Sequence, residues 1–160
     1  MADEASEVKD EALTTLRAEL IPGAGELLRE LKRRGYKLAL VADGRPGTYS
    51  NVLRQHSVHQ LFDVFAVSEE VGVEKPDARM FVTALDALGI ESKDYSRTVM
   101  VGNRLDRDVG GANNLGMTSV WIDWSGRYGS APQHDLEVPD FTIHMPMELL
   151  DVLEGLERGS

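Results

Sequence analysis

Thr98 to Met117, TVMVGNRLDRDVGGANNLGM, is the stretch whose reading decides the fold. Its start, Thr98 to Val101, is β-branched and apolar without alternation, the pattern of a strand buried on both faces of a parallel sheet. Gly102 breaks the run. Asn103, Asp106 and Asp108 follow, and then a small-residue helix, Gly111 to Leu115, closed by Gly116. This order sets oxygen ligands at the carboxyl end of a strand, where open α/β sheets bind their ligands. A plainer reading of the same carboxylates is that Asp106 and Asp108 cap the helix and complement its dipole.

Working outward, the pattern of a strand followed by a helix recurs. Ala5 to Leu20 reads as an N-terminal helix with a thin stripe of Leu13, Leu16 and Leu20, interrupted by Pro22 and Gly23. Ala24 to Arg34 resumes as an amphipathic helix stopped by Gly35. Tyr36 to Ala42 is the first strand, followed by the glycine-rich loop Asp43-Gly44-Arg45-Pro46-Gly47-Thr48 and a helix that buries Tyr49, Val52 and Leu53. Val64 to Val67 is the second strand and Ser68 to Lys75 a loop. Pro76 suits the first turn of the helix carrying Met80, Phe81, Ala84, Leu85 and Leu88. Ser119 to Ile122 and Phe141 to His144 give the fourth and fifth strands, separated by a polar surface loop from Trp124 to Pro139. A helix with Leu149, Leu150, Val152, Leu153 and Leu156 inward closes the chain. Strands alternating with helices predict a doubly wound, three-layer parallel sheet.

Composition narrows the partners. The chain has 160 residues, 27 acidic against 17 basic, and a net charge of -10, which disfavours nucleic acid and anionic membrane surfaces. The basic run Lys32 to Arg34 reads as the solvated end of a helix. There is no cysteine, which removes disulfides and thiolate chemistry, and the four histidines show no zinc spacing. The acidic first ten residues do not read as a signal peptide, so a cytoplasmic protein is expected.

Three loops fall at strand carboxyl ends, carrying Asp43 and Thr48, then Lys75, then Asn103 and Asp108. A lone lysine before a proline is ordinarily a solvent-exposed residue. A hydroxyl-bearing glycine loop, a lysine and an Asn/Asp pair on one rim nonetheless form the set that a phosphate with bound magnesium requires: donors, a positive charge and hard oxygens.

These residues resemble the haloacid dehalogenase (HAD) superfamily of phosphohydrolases, from about Ile21 to Glu157. IPGAGELLRELKRRGYKLALVADG is similar to the approach to the second family motif, EKPD to the third, and VGNRLDRDVGGANNLGM to the fourth. The resemblance implies a Rossmannoid HAD-like core over residues 21–157 behind an N-terminal helix over residues 1–20. It also implies magnesium-dependent hydrolysis of a phosphate monoester, the ligand being a small phosphorylated molecule. Residue by residue, it makes Lys75 the group that neutralises nucleophile and phosphate, and Asp108 and Asn103 the metal-side ligands. Gly44, Arg45 and Thr48 would join Lys75 around the phosphate.

Two departures qualify the resemblance. Asp43 stands where the family has Ser or Thr, and a carboxylate repels a phosphate dianion unless it is paired or protonated; Arg45 and Thr48 could supply the donors instead. Asn103 replaces the common aspartate, which predicts weak Mg2+ binding. Further, no strand ending in DxDx(T/V) occurs before Ile21, nor does a cap insertion. The aspartyl-phosphate nucleophile is therefore missing from this sequence. Two functions follow: a truncated or divergent hydrolase in which Asp43 is the candidate catalytic carboxylate beside Lys75, or an inactive domain that binds a phosphorylated ligand or a protein partner.

The family's first-motif strand lies between the strands ending at Asp43 and Gly102. Leaving that slot open would orphan backbone groups at ~1–3 kcal/mol each. The expectation is that the two strands pair directly, giving the order 2-1-3-4-5, and that Lys75 lies within salt-bridge distance of Asp43 or Asp108.

Overall fold

The computed structural model describes residues 21–124 and 131–159. The expected helix over residues 1–20, and the part of the surface loop over residues 125–130, lie outside the described residues.

Five short strands are present, all parallel: β1 (Ala39–Ala42), β2 (Val64–Val67), β3 (Val99–Gly102), β4 (Thr118–Ile122) and β5 (Phe141–Ile143). The helices are α1 (Ala24–Arg33), α2 (Pro46–Gln55), the single turn α3 (Ser68–Val71), α4 (Ala78–Ala87), α5 (Gly110–Asn114) and α6 (Leu149–Arg158). Gly35 and Gly116 take up φ of 89° and 77°, the left-handed conformation that ends α1 and α5.

Helices cover both faces. Leu27 and Leu31 of α1 and Leu149 and Leu153 of α6 pack with Val120, Ile122 and Ile143 on one side, joined by Val99 and Val101. Met80, Phe81 and Leu85 of α4 pack with Ala112 and Met117 on the other, joined by Val41 and Met100. The alternation of Val99, Met100 and Val101 between the two clusters is the period-2 signature of a strand buried on both faces. This is the three-layer, parallel α/β architecture expected from the sequence.

The strand pairing departs from the expected order 2-1-3-4-5 at one place, between β1 and β3. β1 pairs with β2, and β3 with β4 and then β5, but β1 and β3 are not hydrogen-bonded to each other among the described residues. No backbone ladder between β1 and β3 joins the halves among the described residues. They are joined instead by side chains: Val41 and Met100 share the α4 cluster, while Leu38 and Val99 share the α1 and α6 cluster. Hydrophobic burial is non-directional and does not require the two strands to be neighbours.

Pro76 also departs from its expected place. It lies ahead of the helix, behind a cis Lys75–Pro76 peptide. Helix α4 begins at Ala78, because the Asp77 carboxylate caps it by accepting from the Arg79 N–H at 2.9 Å; an aspartate side chain satisfies an orphan amide that a proline cannot. Ser68–Val71 forms a helical turn within what reads as loop.

Close packing fixes the glycine immediately before Ala112. A Cβ on Gly111 would overlap the ring of the buried Phe81, so α5 can lie on α4 only without a side chain there. On the other flank of α5, the fully buried Ser119 donates to Asn113 Oδ1 at 2.7 Å and accepts from the Asp140 N–H at 3.1 Å. Asn113 Nδ2 in turn donates to the carbonyls of Leu136 and Val138, both at 2.8 Å, holding the approach to β5 against α5.

Candidate functional site

The site is built where the segment after β3 turns into α5. Asp108 N–H and Val109 N–H both donate to the Arg104 carbonyl, at 2.9 and 3.1 Å, and Leu105–Val109 form one π-helical turn. Such turns are rare and concentrate at functional sites. This one turns Asp108 inward against the end of β3, so closely that a Cβ on Gly102 would overlap its Cβ, Cγ and Oδ2. The glycine that reads as a strand breaker is thus the last residue of β3 and the seat of the carboxylate.

Asp108 is buried and doubly held. Lys75 Nζ donates to Oδ1 at 2.6 Å, and the Arg104 N–H donates to Oδ2 at 3.1 Å. The side chains of Lys75 and Asp108 are only 11% and 5% exposed, so the pair is largely removed from water. The expected contact of Lys75 with a carboxylate of the rim is therefore present. Lys75 also reaches β1 through its backbone, whose N–H donates to Asp43 Oδ1 at 2.9 Å.

Asp43 Oδ2 accepts from Arg107 Nη1 at 3.1 Å, and the same nitrogen lies 3.5 Å from Glu74 Oε2. Both Asp43 oxygens are thus engaged, which makes the residue an anchor across the two half-sheets rather than an open carboxylate. Arg107 is the residue that sequence reasoning missed. It sits in a polar run at a helix start, where an arginine ordinarily reads as solvated, and nothing in the spacing from 43 to 107 signals their meeting.

Tyr49 and Ser68 were also missed. The Tyr49 hydroxyl donates to the Asp43 carbonyl at 2.6 Å. Burial first, and then the negative charges of Asp43 and Asp108, push its pKa above the usual tyrosine value, so it remains a proton donor at neutral pH. Ser68 Oγ accepts the Gly44 N–H at 2.7 Å and ties the loop after β1 to the end of β2.

The remaining expected residues are spread along the rim. The Gly44 amide is committed to Ser68. Arg45 pairs with Glu69 at 3.3 Å, and Thr48 lies in the first turn of α2. Asn103 is exposed; its carbonyl accepts from Trp121 Nε1 at 3.1 Å, and its side chain makes no hydrogen bond among the described residues. Magnesium requires a near-octahedral oxygen shell. Asn103 offers one neutral amide, and Asp108 is already shared between an ammonium and an amide. Among the described residues no group of three His, Cys, Asp or Glu could hold a metal ion. These residues therefore do not make a magnesium site by themselves.

The parallel strands with helices on both faces place the buried Lys75–Asp108 pair at the carboxyl edge. The chain belongs to the haloacid dehalogenase-like hydrolases, the model of that family matching residues 2–116. It is 38% identical over 131 residues to a glyceraldehyde 3-phosphate phosphatase of Methanopyrus kandleri, covering 82% of this chain and 55% of that protein. It is 35% identical over 124 residues to a phosphoserine phosphatase of Thermus thermophilus, covering 78% of this chain and 47% of that protein. A solved HAD phosphatase from Thermococcus onnurineus superposes with a TM-score of 0.75 at 29% identity, covering 93% of this chain and 64% of that one. The chain thus spans about half the length of these curated relatives. Among the described residues no helix is long and apolar enough to cross a membrane.

Proposed function

We propose that this chain forms the lysine-bearing half of a HAD-type phosphate monoester hydrolase site and binds a small phosphorylated molecule there. The observation that carries the reading is the Lys75–Asp108 pair joined through Lys75 to Asp43, on the rim where the sheet presents its carboxyl ends. Such a rim supplies charge and donors, which suffice to bind phosphate. The name of the Methanopyrus kandleri relative points to a phosphorylated three-carbon aldehyde as a first substrate to try. Magnesium, which the family resemblance implies, would compete with the Lys75 ammonium for Asp108 and would bind weakly.

Turnover requires a nucleophile and an acid for the leaving group in addition. The engagement of both Asp43 oxygens favours the second reading, a domain that binds a phosphorylated ligand without hydrolysing it. Loss of a nucleophile from a concerted set costs on the order of 10⁶ in turnover. The purified chain is therefore expected to bind orthophosphate, followed by calorimetry, while hydrolysing p-nitrophenyl phosphate with Mg2+ only marginally above background. Robust turnover would overturn the non-hydrolysing reading, and robust turnover surviving Asp43→Asn would remove Asp43 as a replacement nucleophile. Absence of orthophosphate binding would overturn the proposed function as a whole.

A further inference from the structure

We propose that Arg107 is the phosphate-binding residue of this site and that Asp43 is the positioning residue that holds it there, an inference that rests on the phosphate-binding function just proposed. The cations of the carboxyl edge are committed in different ways. Lys75 is taken up by Asp108 in a largely buried pair, Arg45 pairs with Glu69, and Arg104 pairs with Asp106. Arg107 is half-exposed and uses only Nη1, shared between Asp43 and Glu74. Its Nε and Nη2 groups make no hydrogen bond among the described residues.

A guanidinium is a rigid planar fork, so fixing one nitrogen orients the other two. Asp43 is itself fixed, because Oδ1 accepts from the Lys75 N–H. The anchor therefore runs from backbone to carboxylate to guanidinium, with the remaining donors left for a ligand anion at the end of β1. This also answers the difficulty raised by an aspartate at that position. Alone, Asp43 would repel a phosphate; Arg107, which Glu74 also approaches at 3.5 Å, offsets that charge and presents donors, performing with two side chains what a hydroxyl would do with one.

The test is orthophosphate binding to the whole chain, measured by calorimetry at low and moderate salt, for the wild type, Arg107→Gln, Asp43→Asn and the double variant. Charge-assisted hydrogen bonds of this kind make Arg107→Gln weaker by roughly tenfold to a hundredfold. In the Asp43→Asn background the same change is expected to cost far less, since the repulsion that Arg107 offsets is gone and its holder is lost. Thermal melts should change little, because Arg107 is half-exposed. Wild-type affinity in a folded Arg107→Gln protein would overturn the inference, and so would strictly additive losses in the two single variants. If the glutamine variant loses its circular dichroism, Arg107→Lys decides. Several-fold weaker binding supports the clamp, because an ammonium lacks the fork that grips Asp43 and ligand together; unchanged affinity overturns it. Binding by the wild type with no effect of Arg107 would leave the proposed function standing without this inference, whereas no binding by the wild type would remove both.

Discussion

Lys75→Ala is expected to destabilise the fold by about 3 kcal/mol, on the order of a 10 °C drop in Tm, a larger loss than an exposed lysine could produce. The reason is what the substitution leaves behind. Asp108 sits at 5% side-chain exposure, and removal of the ammonium at 2.6 Å strands a buried carboxylate with only the Arg104 N–H on its other oxygen. Breaking a buried pair typically costs about 3–5 kcal/mol, and the surviving amide bond keeps the expectation at the low end. The double substitution Lys75→Met with Asp108→Leu removes both charges and should recover most of the loss. Chemical denaturation of the wild type, the single and the double variant measures this directly. A single variant costing less than about 1 kcal/mol would mean that the pair is not buried as described.

Gly102→Ala should act on the same pair from the other side. The added methyl would overlap three atoms of Asp108, and that carboxylate cannot swing away without giving up Lys75 or the Arg104 N–H. Overpacking alone costs about 1–3 kcal/mol, and loss of the ion pair adds to it. Orthophosphate affinity should fall together with Tm, since the displaced carboxylate releases Lys75 from its place on the rim. An alanine variant with wild-type Tm and affinity would show that the π-helical turn has room to shift.

Much of this was legible in the chain itself. TVMVGNRLDRDVGGANNLGM announces strand, break, carboxylates and small-residue helix in the order in which they occur. The meeting of Lys75 with a rim carboxylate followed from three loops at the carboxyl ends of parallel strands. The pairing of β1 with β2 was legible, but the missing ladder between β1 and β3 among the described residues was not, because local patterning says which residues form strands and leaves their pairing to the packing. Pro76 drew attention away from Asp77, the better cap. Arg107 was hidden for a different reason: its partner Asp43 follows β1 in the other half-sheet, 64 positions earlier, so only the folded distance of 3.1 Å reveals it. Tyr49 read as buried and is half-buried, yet the use of its hydroxyl on the Asp43 carbonyl depended on where the glycine loop bends.

The π-helical turn bears on how this stretch can change length. A regular helix advances about 100° per residue, and the closure from Val109 to the Arg104 carbonyl takes up one residue more than an α-turn would. Shortening the segment by one residue between Arg104 and Val109 would turn Asp108 by about 100° relative to the strand end, while Gly111 stayed pinned against Phe81. Exchanges of side chain at Asp106, which is exposed, should therefore be tolerated, whereas deletion of that same residue should abolish orthophosphate binding and lower Tm. At this point in the chain, spacing constrains the site more strictly than spelling.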